Sequence, residues 1–331
     1  MPAPVIGRHA APESPVDVLT DLLAVQRRRL AALDPRLPEA AAPPPGDIVV
    51  VGKPPHRVAG VVTHHTWPAG SGPLLWSATQ VSELHPVIGA AGHAPLHALV
   101  EAWRGRMLPV VLAEPDSAAT ITWPSRDVVA TRVFLDHGLV PLAVLAVRPP
   151  GPYPVPPPDP DLVVRRAGPD DLEGCVRLAL EELAYSSQVG GSLLRPDAEA
   201  LKRATIRDRL GRGEPTWVAE RGGRLVGMVE CGQAESAPGS WLASLVPPGG
   251  WGYVNCASVT SAERGSGVGQ RLVAAALPEL EAGFRGRQDL AVRGTYLYYN
   301  PPNPLSSVFW PRAGYAPLWT LWEVRPARAL R

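Results

Sequence analysis

The chain has 331 residues, more than one core usually serves, so two domains are expected. Hydrophobic residues make up 45% and charged residues 19%, enough for packed cores, and a formal net charge of +1 gives no broad basic footprint for nucleic acid or an acidic membrane. The sparse, odd set Cys175, Cys231 and Cys256 argues against a disulfide framework, the start carries no signal-like segment, and no apolar run could span a bilayer, so a cytoplasmic protein is expected.

From the front of the chain, VDVLTDLLAVQRRRLAALD (16–34) reads as a helix, with Arg27, Arg28 and Arg29 as a solvated face. His64 and His65 fall on a strand and point to opposite faces, so they cannot act together. His93 and His97 stand four apart on a helix. With no carboxylate motif beside them, no metal is expected there. The segment RPPGPYPVPPPDPD (148–161) favours polyproline II and reads as a semi-rigid spacer. It divides the chain into 1–147, a linker at 148–160, and 161–331.

The second part is richer in pattern. LVVRRA (162–167) is a strand. A helix starts near the acidic Asp170 and Asp171, and a second helix covers 195–210. Residues 216–232 form a hairpin turning at Gly222-Gly223. A strand, GYVNCASV, then leads through SAERGSGVGQRL (261–272) into a helix from about 268 to 283. A strand at 294–299, a helix near 304–313 stopped by Gly314, and a last strand complete the part.

The two parts resemble each other. VFLDHGLVPLAVLAVRP (133–149) parallels FWPRAGYAPLWTLWEVRP (309–326), VEAWRGR (100–106) parallels LEAGFRGR (280–287), and GPLLWSATQV (72–81) parallels GGWGYVNCASV (249–259). Pairing Val81 with Val259 sets Pro86 opposite Arg264, Gly89 opposite Gly267 and Ala91 opposite Gly269. Matches in one order point to duplication.

Glycines at 265, 267 and 269, placed where a strand turns into a helix, let a ligand approach the main chain. The helix start offers unpaired N–H groups and a partial positive charge, so the loop reads as an anion cradle suited to phosphate. Arg264 adds a fork-shaped donor at its edge. The Gly-Lys-Ser/Thr ending of a Walker loop is absent, and a dinucleotide fingerprint belongs near a first strand.

At these residues the second part resembles the GNAT acetyltransferases. Arg264, Gly267 and Gly269 match the family's pyrophosphate loop in register. N303-P-L-S306-S-V-F309-W310-P-R-A-G314-Y315 matches its second motif, with Ser306 and Trp310 in place of alanine and tyrosine. The resemblance covers about 161–326 and implies an α+β fold: two tandem domains, each a splayed, mostly antiparallel sheet flanked by helices. It further implies that acetyl-CoA binds where two strands part. Gly265, Ser266, Gly267, Val268 and Gly269 would hold the pyrophosphate beside Arg264. Cys256, Ala257, Ser258 and Val259 would hold the pantetheine arm, and Asn303 and Ser306 would contact the cofactor.

The family's usual strand carboxylate and helix tyrosine are missing here. Tyr298 and Tyr299 are the nearest phenols in sequence, and only one can face a given side of the sheet. Glu230 is the candidate base, directly or through water, and Tyr253 and Asn255 are candidate acceptor-pocket residues. Cys256 reads as a buried apolar cysteine before it reads as a nucleophile. The first part lacks the loop arginine and carries Pro86, which has no N–H, so it reads as a degenerate, mainly structural copy. The expected activity is transfer of an acetyl group to a small-molecule or peptide amine by a monomer or homodimer. The alternatives are another acyl-CoA, or a non-catalytic acyl-CoA sensor or scaffold.

Overall fold

A computed structural model describes residues 13–284 and 290–331; the end of the repeated stretch 280–287, and any strand ahead of the first helix within 1–12, lie outside them. Helix α1 (Pro15–Leu33) starts where the Ser14 hydroxyl accepts from the Asp17 N–H, with Pro15 in its first turn. The first half continues with β1 (Asp47–Val51), β2 (Val58–Thr66), β3 (Gln80–Val87), α2 (His93–Arg104), α3 (Pro109–Ala113), β4 (Ser117–Pro124), α4 (Val128–Asp136) and β5 (Val140–Arg148). The second half holds β6 (Val163–Arg166), α5 (Leu172–Ser187), α6 (Ala198–Gly211), β7 (Thr216–Arg221), β8 (Arg224–Ser236), β9 (Gly249–Val259), α7 (Val268–Ala282), β10 (Val292–Tyr299), α8 (Ser306–Arg312) and β11 (Ala316–Val324). Among the described residues, no helix is long and apolar enough to cross a membrane.

The duplication read from the sequence is visible in the order of these elements. In each half a helix ends before a left-handed glycine, Gly138 (φ 84°) or Gly314 (φ 89°), and a closing strand follows. The halves are not separate sheets, however. All eleven strands join in the order β1-β2-β3-β4-β11-β5-β10-β9-β8-β7-β6. Each half gives its last strand to the other: β11 pairs with β4, β5 pairs with β10, and the two exchanged strands pair with each other. A cut at the proline-rich linker therefore divides the sequence but not the sheet. Only β3 with β4 and β9 with β10 run parallel; the other described pairs are antiparallel.

The cores follow the exchange. Trp322, Val324 and Leu330 are buried among Leu99, Trp103 and Phe134 of the first half. Val144 and Ala146 are buried among Leu272, Ala276 and Leu297 of the second. Each large apolar side chain so placed contributes about 1.5–3 kcal/mol. Neither half closes its core without the other.

The short helices before β3 and β9 dock across this seam. Leu75 packs on Leu183 and Ala198, while Leu242 and Val246 pack with Leu30 and Leu37. The expected solvated arginine face on α1 needs one correction. Arg29 reaches the buried Asp127 at 2.6 Å, and Trp123 Nε1 donates to the same carboxylate oxygen at 2.9 Å.

Candidate active site

Strands β9 and β10 keep parallel register only as far as Val254 and Leu297. Beyond that point β10 continues along β5, and the edge of β9 that faced it has no strand partner. At the same place Cys231 pairs with Val254 and Glu230 with Cys256, which makes Asn255 an extra residue in β9. Such a bulge bends its strand and re-aims the side chain. The gap opens into a cavity of about 870 Å³.

Helix α7 points its start at this gap. Its N-cap is Gly267, left-handed at φ 88°, with Gly265 at φ 83° just before it. No side chain caps the helix, so its first N–H groups remain available to an anion. Gly265, Gly267, Val268 and Gly269 line the cavity. The Ser266 hydroxyl donates instead to the Glu263 carbonyl at 2.7 Å, and Ser266 is not among the lining residues. Arg264 also lines it, as a strut: Nε donates to the Val259 carbonyl at 3.2 Å, and the guanidinium lies 4.7 Å from the Tyr185 ring centroid.

Cys256, Ala257, Ser258 and Val259 form one wall. The Ser258 hydroxyl is committed to the Leu178 carbonyl at 2.8 Å. Asn303 and Ser306 line the other side. Asn303 Oδ1 accepts from the N–H groups of Leu305 and Ser306 at the start of α8, which leaves its amide nitrogen for a ligand. Trp310 is buried edge-on between Phe309 and Tyr315.

Tyr298 and Tyr299 at the end of β10 part as alternation requires. Tyr299 packs toward the α7 core, while Tyr298, 42% exposed, follows Tyr296 onto the α5 face. There Tyr253 stacks on Tyr296 with centroids 4.7 Å apart. Burial pushes the Tyr253 phenol up to about 12, and the Tyr298 phenol is also raised by its surroundings. Glu230 does not reach the cavity wall. It is 3% exposed and stands behind Asn255, whose Nδ2 donates to its Oε2 at 3.1 Å.

Sequence reasoning missed several wall residues. Glu182 and Lys202 come from α5 and α6, and the Lys202 ammonium sits 4.8 Å from the ring centroid of Trp76. Trp76 belongs to the first half, as do Leu142 and Ala143 on the exchanged strand β5. The segment between α5 and α6 contacts the first half. Leu193 N–H donates to the Leu75 carbonyl at 2.8 Å there, which brings Trp76 over the cavity.

The buried cysteines are chemically quiet. Burial pushes the Cys175 and Cys231 thiols up to about 12 and the Cys256 thiol well up. At a pKa of about 12, roughly one thiol in 10⁴ is ionised at pH 8. The native chain is therefore expected to take up no iodoacetamide at pH 8 within minutes, while in urea all three thiols react. A fast-labelling Cys256 in the native chain would reverse its assignment as wall.

The matching place in the first half is filled by protein. Parallel pairing ends at Leu84 with Ile121, and eight residues then lead to α2, against thirteen between Val254 and α7. The N-caps are Gly92 and Gly267, so the Gly89–Gly267 register expected from the sequence is three residues out. Helix α1 lies on this shortened loop. Buried Gln26 donates from Nε2 to the Pro86 carbonyl at 3.1 Å and accepts from the Ile88 N–H at 2.8 Å. A Cβ on Gly89 would lie 3.2 Å from Leu22 Cδ2.

The site is thus a sheet split between parallel strands over a bare helix start, an arrangement open to an anion. Residues 180–290 match the acetyltransferase (GNAT) family. That match lies in the second half, and the chain as a whole has the fold of tandem proteins of this kind.

A GCN5-related N-acetyltransferase from Sphaerobacter thermophilus is similar over 95% of this chain and 94% of its own, at 18% identity and a TM-score of 0.51. A tandem GNAT protein from the clavulanic acid biosynthesis pathway matches over 96% and 98%, at 15% identity and a TM-score of 0.43. A GCN5-related N-acetyltransferase from Kribbella flavida matches over 92% and 94%, at 14% identity and a TM-score of 0.43. No curated protein matches the chain in sequence.

Proposed function

We propose that the chain transfers an acetyl group from acetyl-CoA directly to an amine in the cavity of the second half. The observation that carries this reading is the parting of β9 and β10 directly over the uncapped start of α7. The residues fit the group: two left-handed glycines and open N–H groups for the pyrophosphate, an unpaired strand edge for the pantetheine arm, and the Asn303 amide nitrogen for a further hydrogen bond. Acetyl-CoA supplies the activated acyl group and a thiolate leaving group.

The chain's own residues supply position and protons. Main-chain N–H groups on the free edge of β9 polarise a carbonyl, and one such donor is worth about 2.7–4 kcal/mol in the transition state. The amine enters on the α5 face, among Tyr253, Asn255, Glu182 and Trp76. With Nδ2 held by Glu230, the acceptor oxygen of Asn255 is left for an ammonium proton. Glu182 is the carboxylate on that part of the wall, and its Oε1 is held by the Ser186 hydroxyl at 2.6 Å. Tyr298 is the phenol that can protonate the departing thiolate.

The test is CoA release from acetyl-CoA with a panel of small amines and peptides. Turnover with at least one amine supports transfer. Acetyl-CoA binding with no turnover across the panel favours a sensor. Titration is expected to give one acetyl-CoA per chain, because Gln26 occupies the main-chain groups that the first half would need. Two equivalent sites would overturn that assignment.

A further inference from the structure

The first half gathers a set of metal-type ligands away from the cavity. His93 opens α2 and His97 follows one turn later, so both imidazoles leave the same helix face. Asp136, the last residue of α4, brings to them a carboxylate that the sequence places forty residues away.

The two Nε2 atoms are 3.2 Å apart, and Asp136 Oδ2 lies 3.9 Å from that of His93 and 3.7 Å from that of His97. Tetrahedral zinc with bonds of about 2.0–2.2 Å sets neighbouring ligand atoms about 3.3–3.6 Å apart. The three separations lie just outside that range, so small rotations of the side chains would set these atoms on one face of such a tetrahedron. The side chains of His93, His97 and Asp136 are 48%, 26% and 34% exposed, which leaves the fourth corner to water. We propose that His93, His97 and Asp136 bind one zinc ion.

The groups behind these ligands point the same way. Arg132 Nε lies 3.0 Å from each carboxylate oxygen of Asp136 and donates to Oδ2, which keeps lone pairs for a metal. His97 Nδ1 lies 2.8 Å from His137 Nε2, and His137 Nδ1 lies 2.5 Å from the Arg331 carbonyl. With Nε2 of His97 on the metal, its Nδ1–H donates to His137, whose own Nδ1–H donates to Arg331. The tautomers of His97 and His137 are then both fixed, as outer partners of metal-bound histidines do. A bare hydrogen bond between the His93 and His97 rings would pair one N–H with one lone pair and leave Asp136 outside it. The ion would tie α2 to α4 and, through His137, to Arg331, beyond the strand that crosses from the second half.

The test uses the full chain without a histidine tag, stripped with chelator and titrated with Zn²⁺ by calorimetry. One Zn²⁺ per chain is expected, with a rise in melting temperature. His93→Asn, at an exposed ring whose loss does not threaten the fold, and Asp136→Asn should each weaken binding at least tenfold and abolish the rise. His137→Gln should weaken it about 10–100-fold with the stoichiometry kept. Absence of Zn²⁺ binding in the parental chain would overturn the site. So would binding unchanged in His93→Asn, which would place the ion elsewhere, such as beside His65, His85 and Glu83.

Discussion

Replacing Gly267 by aspartate is expected to remove acetyl-CoA binding, with calorimetry showing no heat at millimolar ligand. Gly267 caps α7 at φ 88°, and a Cβ there would lie 2.6 Å from Arg271 Nη1. The left-handed backbone costs an L-residue about 1–2 kcal/mol, a fraction of the about 5–15 kcal/mol that holds a domain together, so the fold should survive. The flexible end of Arg271 can move aside. The carboxylate cannot be accommodated in the same way, because it caps the helix itself and repels the pyrophosphate at the one place built for it. Arg264→Ala should cost less, about tenfold, since Arg264 braces Val259 and Tyr185 from the edge of the loop. Unchanged affinity in the Arg264→Ala, Gly267→Asp double variant, with a native circular dichroism spectrum, would remove the site from α7.

Tyr298→Phe is expected to lower turnover about 10²-fold and leave acetyl-CoA affinity intact, while Tyr299→Phe runs at the parental rate. Alternation along β10 puts only Tyr298 on the face shared with Tyr253. A thiolate is a tolerable leaving group, since a free thiol titrates near pH 8.5, so loss of the acid is bounded at about 10²–10⁴-fold. The pH profile tests the same assignment. A proton donor loses activity as pH rises through its pKa, and the surroundings of Tyr298 raise its phenol above the ordinary value of about 10. The rate should therefore show no alkaline fall below about pH 10 that vanishes in Tyr298→Phe. If both single variants and the double variant match the parent with a good amine, no phenol here acts as the acid.

The loop side of the cavity was legible because its determinants are local. A strand end, glycines that permit positive φ at 265 and 267, and a helix start lie within about fifteen residues, and the main chain forms the cradle whatever packs around it. The opposite wall was not legible in the same way. Glu182, Lys202 and Trp76 come from three elements in two halves, and no spacing in the sequence joins them. Glu230 fits the period of its strand, yet the bulge at Asn255 decides that it stands behind the wall. The His93–His97 spacing was visible, while Asp136 joins it only because α4 ends beside α2.

By itself the sequence determined the duplication, the mixed α+β elements and the glycine turn into α7, since these rest on hydrophobic period, turn glycines and helix ends, all set by nearest neighbours along the chain. The tertiary structure alone decided that β5 and β11 change places. The two strands carry nearly the same apolar pattern and both close on Val-Arg-Pro, so each satisfies either sheet edge equally well at the level of its own residues. Which edge each takes depends on long-range packing, on Trp322 entering the first core and Val144 the second, and that choice brings Leu142, Ala143 and Trp76 to the cavity.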